Sequence, residues 1–186
     1  MSRHRWAAAG LLVTAVAVGG VANAVEANYL ATGWHTTLRG AAGADHTVGT
    51  FQVHVQGAAS SRDLDDGDVV TSPGSFVVVD LSYATTDAWR TPRDVVLIDG
   101  EGREFTPPSG FGSEADPWEA GPDIWLRGTL LFEVPQEAVA DLTLEFRPEV
   151  PDARLPGTVL RVPLEVTPSP EPLVLERATV LPEGER

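Results

Sequence analysis

Apolar and polar residues alternate with a period of two through most of the chain from Phe51 to Val166. In "GTFQVHV", Phe51, Val53 and Val55 alternate with Gln52 and His54, the pattern of a half-buried strand. In "SFVVVDLSYAT", Val77, Val79, Leu81 and Tyr83 share one face, with Asp80 and Ser82 on the other. "RDLDDGD", between these two strands, reads as an acidic turn. "DVVLIDGEGREF" predicts a hairpin: Val95 to Ile98, a turn over Asp99-Gly100-Glu101-Gly102, and a return at Phe105. A Gly/Pro-rich loop over about residues 106 to 122 follows. In "GTLLFEVP", Leu130, Phe132 and Val134 face one way and Thr129, Leu131 and Glu133 the other, until Pro135 ends the strand. An apolar residue at position 131, on the outward side, hints at a second covered surface. "DLTLEF" places Leu142, Leu144 and Phe146 inward, and "TVLRVPLEV" does the same with Leu160, Val162, Leu164 and Val166. Pro163 falls on the outward face of the latter, as at an edge strand or bulge. Short strands split by turn signals, with "PQEAVA" good for one helical turn at most, predict an all-β sandwich of about seven to nine strands.

The period is absent at both ends. Arg3 and Arg5 precede an uncharged apolar run from Trp6 to Ala22, the pattern of an export signal. Two versions stay open for residues 1–25. Either Ala22-Asn23-Ala24 is cleaved before Val25, or Trp6 to Val25 is kept as a membrane anchor, long enough at ~1.5 Å per residue to cross a ~30 Å core. In the anchored version Tyr29 and Trp34 fall near the outer interface, and the single N-terminal anchor leaves the rest of the chain outside the cytoplasm. Residues 26–46 read as a linker, residues 47–167 as the sandwich, and residues 168–186 as a proline-rich acidic tail with one further strand possible from Leu173 to Leu181.

Composition narrows the function classes. Thirteen arginines, no lysine and 27 acidic residues give a net charge of −14, which argues against nucleic acid and against an electrostatic hold on anionic lipid. No cysteine is present, so disulfides, thiolate zinc sites and a lipidated cysteine are excluded, and stability must come from the core.

The segment from Phe76 to Phe146 resembles the bacterial domain-of-unknown-function family 4352, on three stretches: "FVVVDLSY", "VVLIDGEGREF" and "AGPDIWLRGTLLFEVP". The resemblance covers roughly 70 to 120 of the 186 residues and implies an exported, immunoglobulin-like β-sandwich. The chain departs from the family in lacking a lipobox cysteine, in having "ATTDAWRTP" where a polar Asn-rich turn often follows the valine strand, and in its extra strand and acidic tail. It transfers no catalytic residue.

Two groups of residues carry candidate chemistry. Asp63, Asp65, Asp66 and Asp68 lie within six positions and supply carboxylates of the kind calcium uses. Their spacing is not that of an EF-hand: Gly67 is fifth and Gly74 twelfth, and a solvated Asp/Gly turn explains them equally. Phe111 and Trp118 in the long loop, and Trp89 beside Arg90, are candidate contacts for a partner; the competing reading folds the loop rings back over the core. The histidines have no metal spacing, and no G-x-S-x-G surrounds a serine. No cofactor is expected. The sequence is that of a non-catalytic extracytoplasmic domain, membrane-tethered or secreted, whose partner is an envelope protein, together with the membrane if the N-terminal segment is uncleaved. An accessory subunit of a membrane complex and an envelope hydrolase are the alternatives.

Overall fold

The structure is a computed structural model that describes residues 35–111, 116–149 and 157–186. The signal or anchor at residues 1–25, together with Tyr29 and Trp34, lies outside the described residues. Among the described residues no helix is long and apolar enough to cross a membrane. Thr36–Glu149 and Thr158–Arg186 form one compact unit, and the other unit, Met1–His35 with Val150–Gly157, lies almost wholly outside the description.

The alternating stretches become the strands of two sheets. In chain order these are β1 (His35–Arg39), β2 (Asp45–Val48), β3 (Phe51–Asp65), β4 (Val69–Thr85), β5 (Asp94–Asp99), β6 (Glu104–Phe105), β7 (Leu126–Val134), β8 (Leu142–Arg147), β9 (Gly157–Leu164), β10 (Val166–Pro168), β11 (Leu173–Val174) and β12 (Thr179–Val180). A five-stranded sheet runs β1-β9-β8-β5-β6. The other, seven-stranded, runs β10-β3-β4-β7-β12, with β2 and β11 also pairing with β3. Twelve segments exceed the seven to nine expected, because β6, β11 and β12 are two-residue strands too short to show a period.

Facing side chains of the two sheets make the main core. Phe51, Val53, Val55, Val77, Val79, Leu81 and Tyr83 meet Val95, Leu97, Leu144, Phe146, Leu160 and Val162. Phe146 sits edge-on to Phe51 and Tyr83, with ring centroids 5.2 and 5.5 Å away. The predicted hairpin forms between β5 and β6, with Leu97 opposite Phe105. Its turn is closed by Asp99, whose carboxylate accepts from the N–H groups of Glu101 (3.0 Å) and Arg103 (2.8 Å) and from Arg103 Nε (2.5 Å). Pro163 is exposed, opposite Thr143, as expected of a residue without an N–H to give.

Two expected boundaries change. Residues 26–46 are not all linker, since β1 and β2 occupy most of residues 35–48. Strand β1 carries "HTTLR", exposed at every position, so no buried face imposed a period that the sequence could reveal. The Gly40–Ala44 stretch is a fixed turn: His46 Nε2 lies 3.1 Å from the Ala41 N–H and 3.0 Å from the Ala41 carbonyl. The tail beyond Thr167 is likewise part of the domain. It pairs in parallel with β3 through β10 and β11, crosses the outer face of the seven-stranded sheet, and pairs antiparallel with β7 through β12. Glu176 N–H donates to Thr129 Oγ1 (2.8 Å) on the way, and Leu181 N–H to the Trp125 carbonyl (2.8 Å). Beside β7 the tail packs closely on Gly128, where a Cβ would come within 3.0 Å of Ala178 Cα and 3.1 Å of the Trp118 ring.

The tail covers a second apolar cluster on the outer face of that sheet, made of Leu64, Phe76, Val78, Leu131 and Leu173, with Phe111 and Leu175 packed against it. Leu131 is fully buried there.

Candidate functional site

Two regions carry the residues singled out by sequence, and a third holds a charged group that the sequence did not reveal. The first is the end of the sandwich where β4 leaves and β7 enters. The long loop returns to β4 here, with Arg90 and Ala120 exchanging backbone hydrogen bonds of 2.9 Å in both directions. The Trp118 ring stacks on Tyr83 at 4.7 Å and 9°. Tyr83 in turn donates its hydroxyl to the Trp118 carbonyl. Burial pushes the Tyr83 phenol well above its ordinary value, with the hydrogen bond to the Trp118 carbonyl working weakly against that. Phe111 is not at this end: it is half-buried toward the hairpin end of the sheet, edge-on to Phe76 at 5.8 Å on the outer face. Trp125 is buried under the Arg186 guanidinium, 4.2 Å from the ring centroid. Phe111 and Trp118 are therefore corrected from partner contacts to core covers: large rings at the edge of a sandwich find apolar surface to bury before they find a partner. Trp89 alone of the three candidates remains open, 55% exposed. It lies across Gly121, where a Cβ would come within 2.8 Å of the indole.

The second region is the β3–β4 hairpin, which carries the four aspartates. They do not converge. Asp63 accepts from Thr71 Oγ1 (2.6 Å), and Asp65 accepts from the Gly67 N–H (3.1 Å) across the turn. Among the described residues no three acidic or histidine side chains are grouped to hold a metal. In place of the calcium reading of Asp63, Asp65, Asp66 and Asp68, the structure shows a hairpin with Asp63 and Asp65 on one face of β3 and Asp66 and Asp68 in the exposed turn. The hairpin is longer than the sequence suggested, since β3 continues to Asp65 and β4 begins at Val69. Strand β7 stops at Val134 opposite Ser75, so Val69–Thr71 extend beyond it with Asp63–Asp65 of β3 as their partner.

The third region was missed by sequence reasoning. Glu145, outward on β8, is fully buried, holding Arg147 Nε and Arg161 Nε at 2.5 Å each, while Arg147 also reaches Glu104 at 2.7 Å. Burial pushes the Glu145 carboxyl up, but hydrogen bonds from Arg161 and Arg147 outweigh it and hold the group below the usual carboxylate range. The pairing of Arg161 with Glu145 has meaning only once the β8–β9 register is known. The arrangement is an ion-pair ladder of the kind that fixes register across a sheet.

No family model matches the chain, and no curated protein matches it. The resemblance to family 4352 thus rests on the three quoted stretches. Among solved structures, the yjhA protein of Bacillus subtilis is similar at a TM-score of 0.50 and 12% identity, over 67% of this chain and 98% of that one. A candidate lipoprotein of the same species, ycdA, aligns at a TM-score of 0.44 and 15% identity over 64% of this chain, which spans 38% of its length. The first of these supports the β-sandwich fold and nothing finer.

Proposed function

We propose that the chain is a non-catalytic, extracytoplasmic immunoglobulin-like domain that works by contact with a protein of the bacterial cell envelope. Three features support the fold assignment. Strands β3, β4 and β7 stand in the A, B and E positions of an immunoglobulin sandwich. Strands β5, β8 and β9 stand in the C, F and G positions, and β6 follows β5 as a short C′. The same reading accords with the resemblance of the three quoted stretches to family 4352. Export is supported by the charged and apolar pattern of residues 1–25.

The observation that carries the contact reading is the placement of exposed apolar side chains. Four of the six large ones among the described residues lie at the two ends of the sandwich, Trp89 at one and Val69, Val70 and Val174 at the other, as in domains that bind through loops and strand ends, while Leu38 and Val180 are on the edge strands β1 and β12. The apolar run from Trp6 to Val25 favours a second reading, an accessory subunit held beside a membrane complex by an uncleaved anchor. Photo-crosslinking in intact cells from positions 69 and 89 tests the contact. A discrete adduct in the envelope fraction is expected from one of them. Adducts from neither, with the domain shielded from external protease, would sink the proposal.

A further inference from the structure

Six large apolar side chains are exposed among the described residues, and three of them, Val69 (61%), Val70 (39%) and Val174 (60%), meet at the tip of the β3–β4 hairpin. Their register explains why. Val69 stands opposite Asp65, and Asp65 stands beside Val174, so the three form one cross-strand row. Val70 stands opposite Leu64, on the face of the second cluster. The tip is apolar on both faces, with one carboxylate set between two valines. It also overhangs the sheet. Strand β7 ends opposite Ser75, and among the described residues no strand pairs with Val69–Thr71 on the side away from β3. The N–H and C=O groups of Val69–Thr71 that do not point toward β3 are a short open edge, a template for another strand.

Three further facts limit what fits. No arginine side chain among the described residues pairs with Asp63, Asp65, Asp66 or Asp68. The chain as a whole carries −14, so a second copy would bring like charge to this tip. The tip also lies at the end away from chain entry. Strand β1 enters beside the start of β9, where Thr36 Oγ1 meets Thr158 Oγ1 at 3.0 Å. The hairpin tip lies at the other end, with Val134 and Leu142.

We propose that the β3–β4 tip is a docking site for an extended protein segment carrying arginine or lysine among apolar residues. Its cation meets Asp65, its apolar side chains cover Val69 and Val174, and its backbone adds to the open edge of β4. This deepens the contact reading above and rests on it.

The test uses the full chain in a neutral detergent and three labelled peptides of equal length, followed by fluorescence anisotropy. One alternates valine with arginine, one valine with glutamate, and one serine with arginine. The valine–arginine peptide is expected to bind and the other two not. Val69→Asp should weaken it by about tenfold or more, although the substitution adds negative charge. Asp65→Asn should weaken it about threefold, and Trp89→Ala should leave it unchanged. Val69 is exposed, so folding of both tip variants is checked by circular dichroism. Equal binding of the serine–arginine peptide would reduce the effect to bulk charge and overturn the proposal. Loss on Trp89→Ala with Val69→Asp unaffected would move the contact to the other end, overturning the tip while leaving the contact reading intact. Self-association abolished by Val69→Asp would make the occupant a second copy, and vesicle binding abolished by it would make it a membrane; either result overturns the proposal.

Discussion

Leu131 sits on the outward side of β7 and yet has no exposed surface, because Phe76, Val78 and the tail residue Leu173 pack around it. Replacing it with alanine removes buried methyl groups without room for collapse, and is expected to lower stability by about 2–4 kcal/mol in denaturant unfolding. A cost near zero would mean that the second cluster is not packed in solution. The residue was legible as an anomaly, an apolar side chain where a polar one belongs. Its partners were not, since they lie in Leu64 and Leu173, far apart in sequence. The rings of the loop show the same limit from the other side: Phe111 and Trp118 were visible as aromatics, but whether they face out is decided by Phe76 and Tyr83 beneath them.

Glu145 gives the prediction with a sign. Its folded carboxyl is held below the usual range, so the unfolded state binds the proton more readily. Its contribution is therefore complete above the unfolded value, near 4.5, and is lost as pH falls through the folded value. Glu145→Gln should cost about 2 kcal/mol at neutral pH, discounted because Arg161 is partly in solvent. The gap to the unsubstituted chain should narrow in acid. Thermal melts of the two proteins across pH would show this, and a gap constant with pH would contradict it.

At the scale of elements, strands with one buried face announced themselves. The pairs β3–β4 and β5–β6 follow from alternation and turn chemistry, and β8 and β9 from alternation as strands, because a buried face forces every second residue to be apolar. Strand β1 gave no such sign, being exposed throughout, and the one strand expected from Leu173 to Leu181 forms as two separate pieces of two residues, β11 and β12. Their pairing is imposed by the sheets they join. The tail is the clearest case. Prolines and acids mark it as a linker in isolation, but it covers apolar surface and fills edges of the seven-stranded sheet that would otherwise be open. Ending the chain after Pro168 removes Leu173 and Leu175 from the second cluster. A lower melting midpoint and new binding of an apolar dye are expected. A truncated chain that melts unchanged and binds no dye would show that the tail is dispensable. At the hairpin, Val69, Val70 and the four aspartates were all visible in sequence. Their arrangement was not, because it depends on β3 running to Asp65 and on where β7 stops.

For the whole molecule, the reading joins three features: an apolar N-terminal segment, a cysteine-free sandwich held by a main core and a tail-covered second cluster, and a surface of −14. An acidic domain of this kind stays soluble and meets cationic partners fastest at low salt. Export is the premise on which an envelope partner depends. The mass of the mature N-terminus in fractionated cells tests it most directly. The account predicts a chain retaining the Trp6 to Val25 segment in the membrane fraction, or one beginning at Val25 outside the cell. A chain with its N-terminal segment intact in the cytosolic fraction would contradict it.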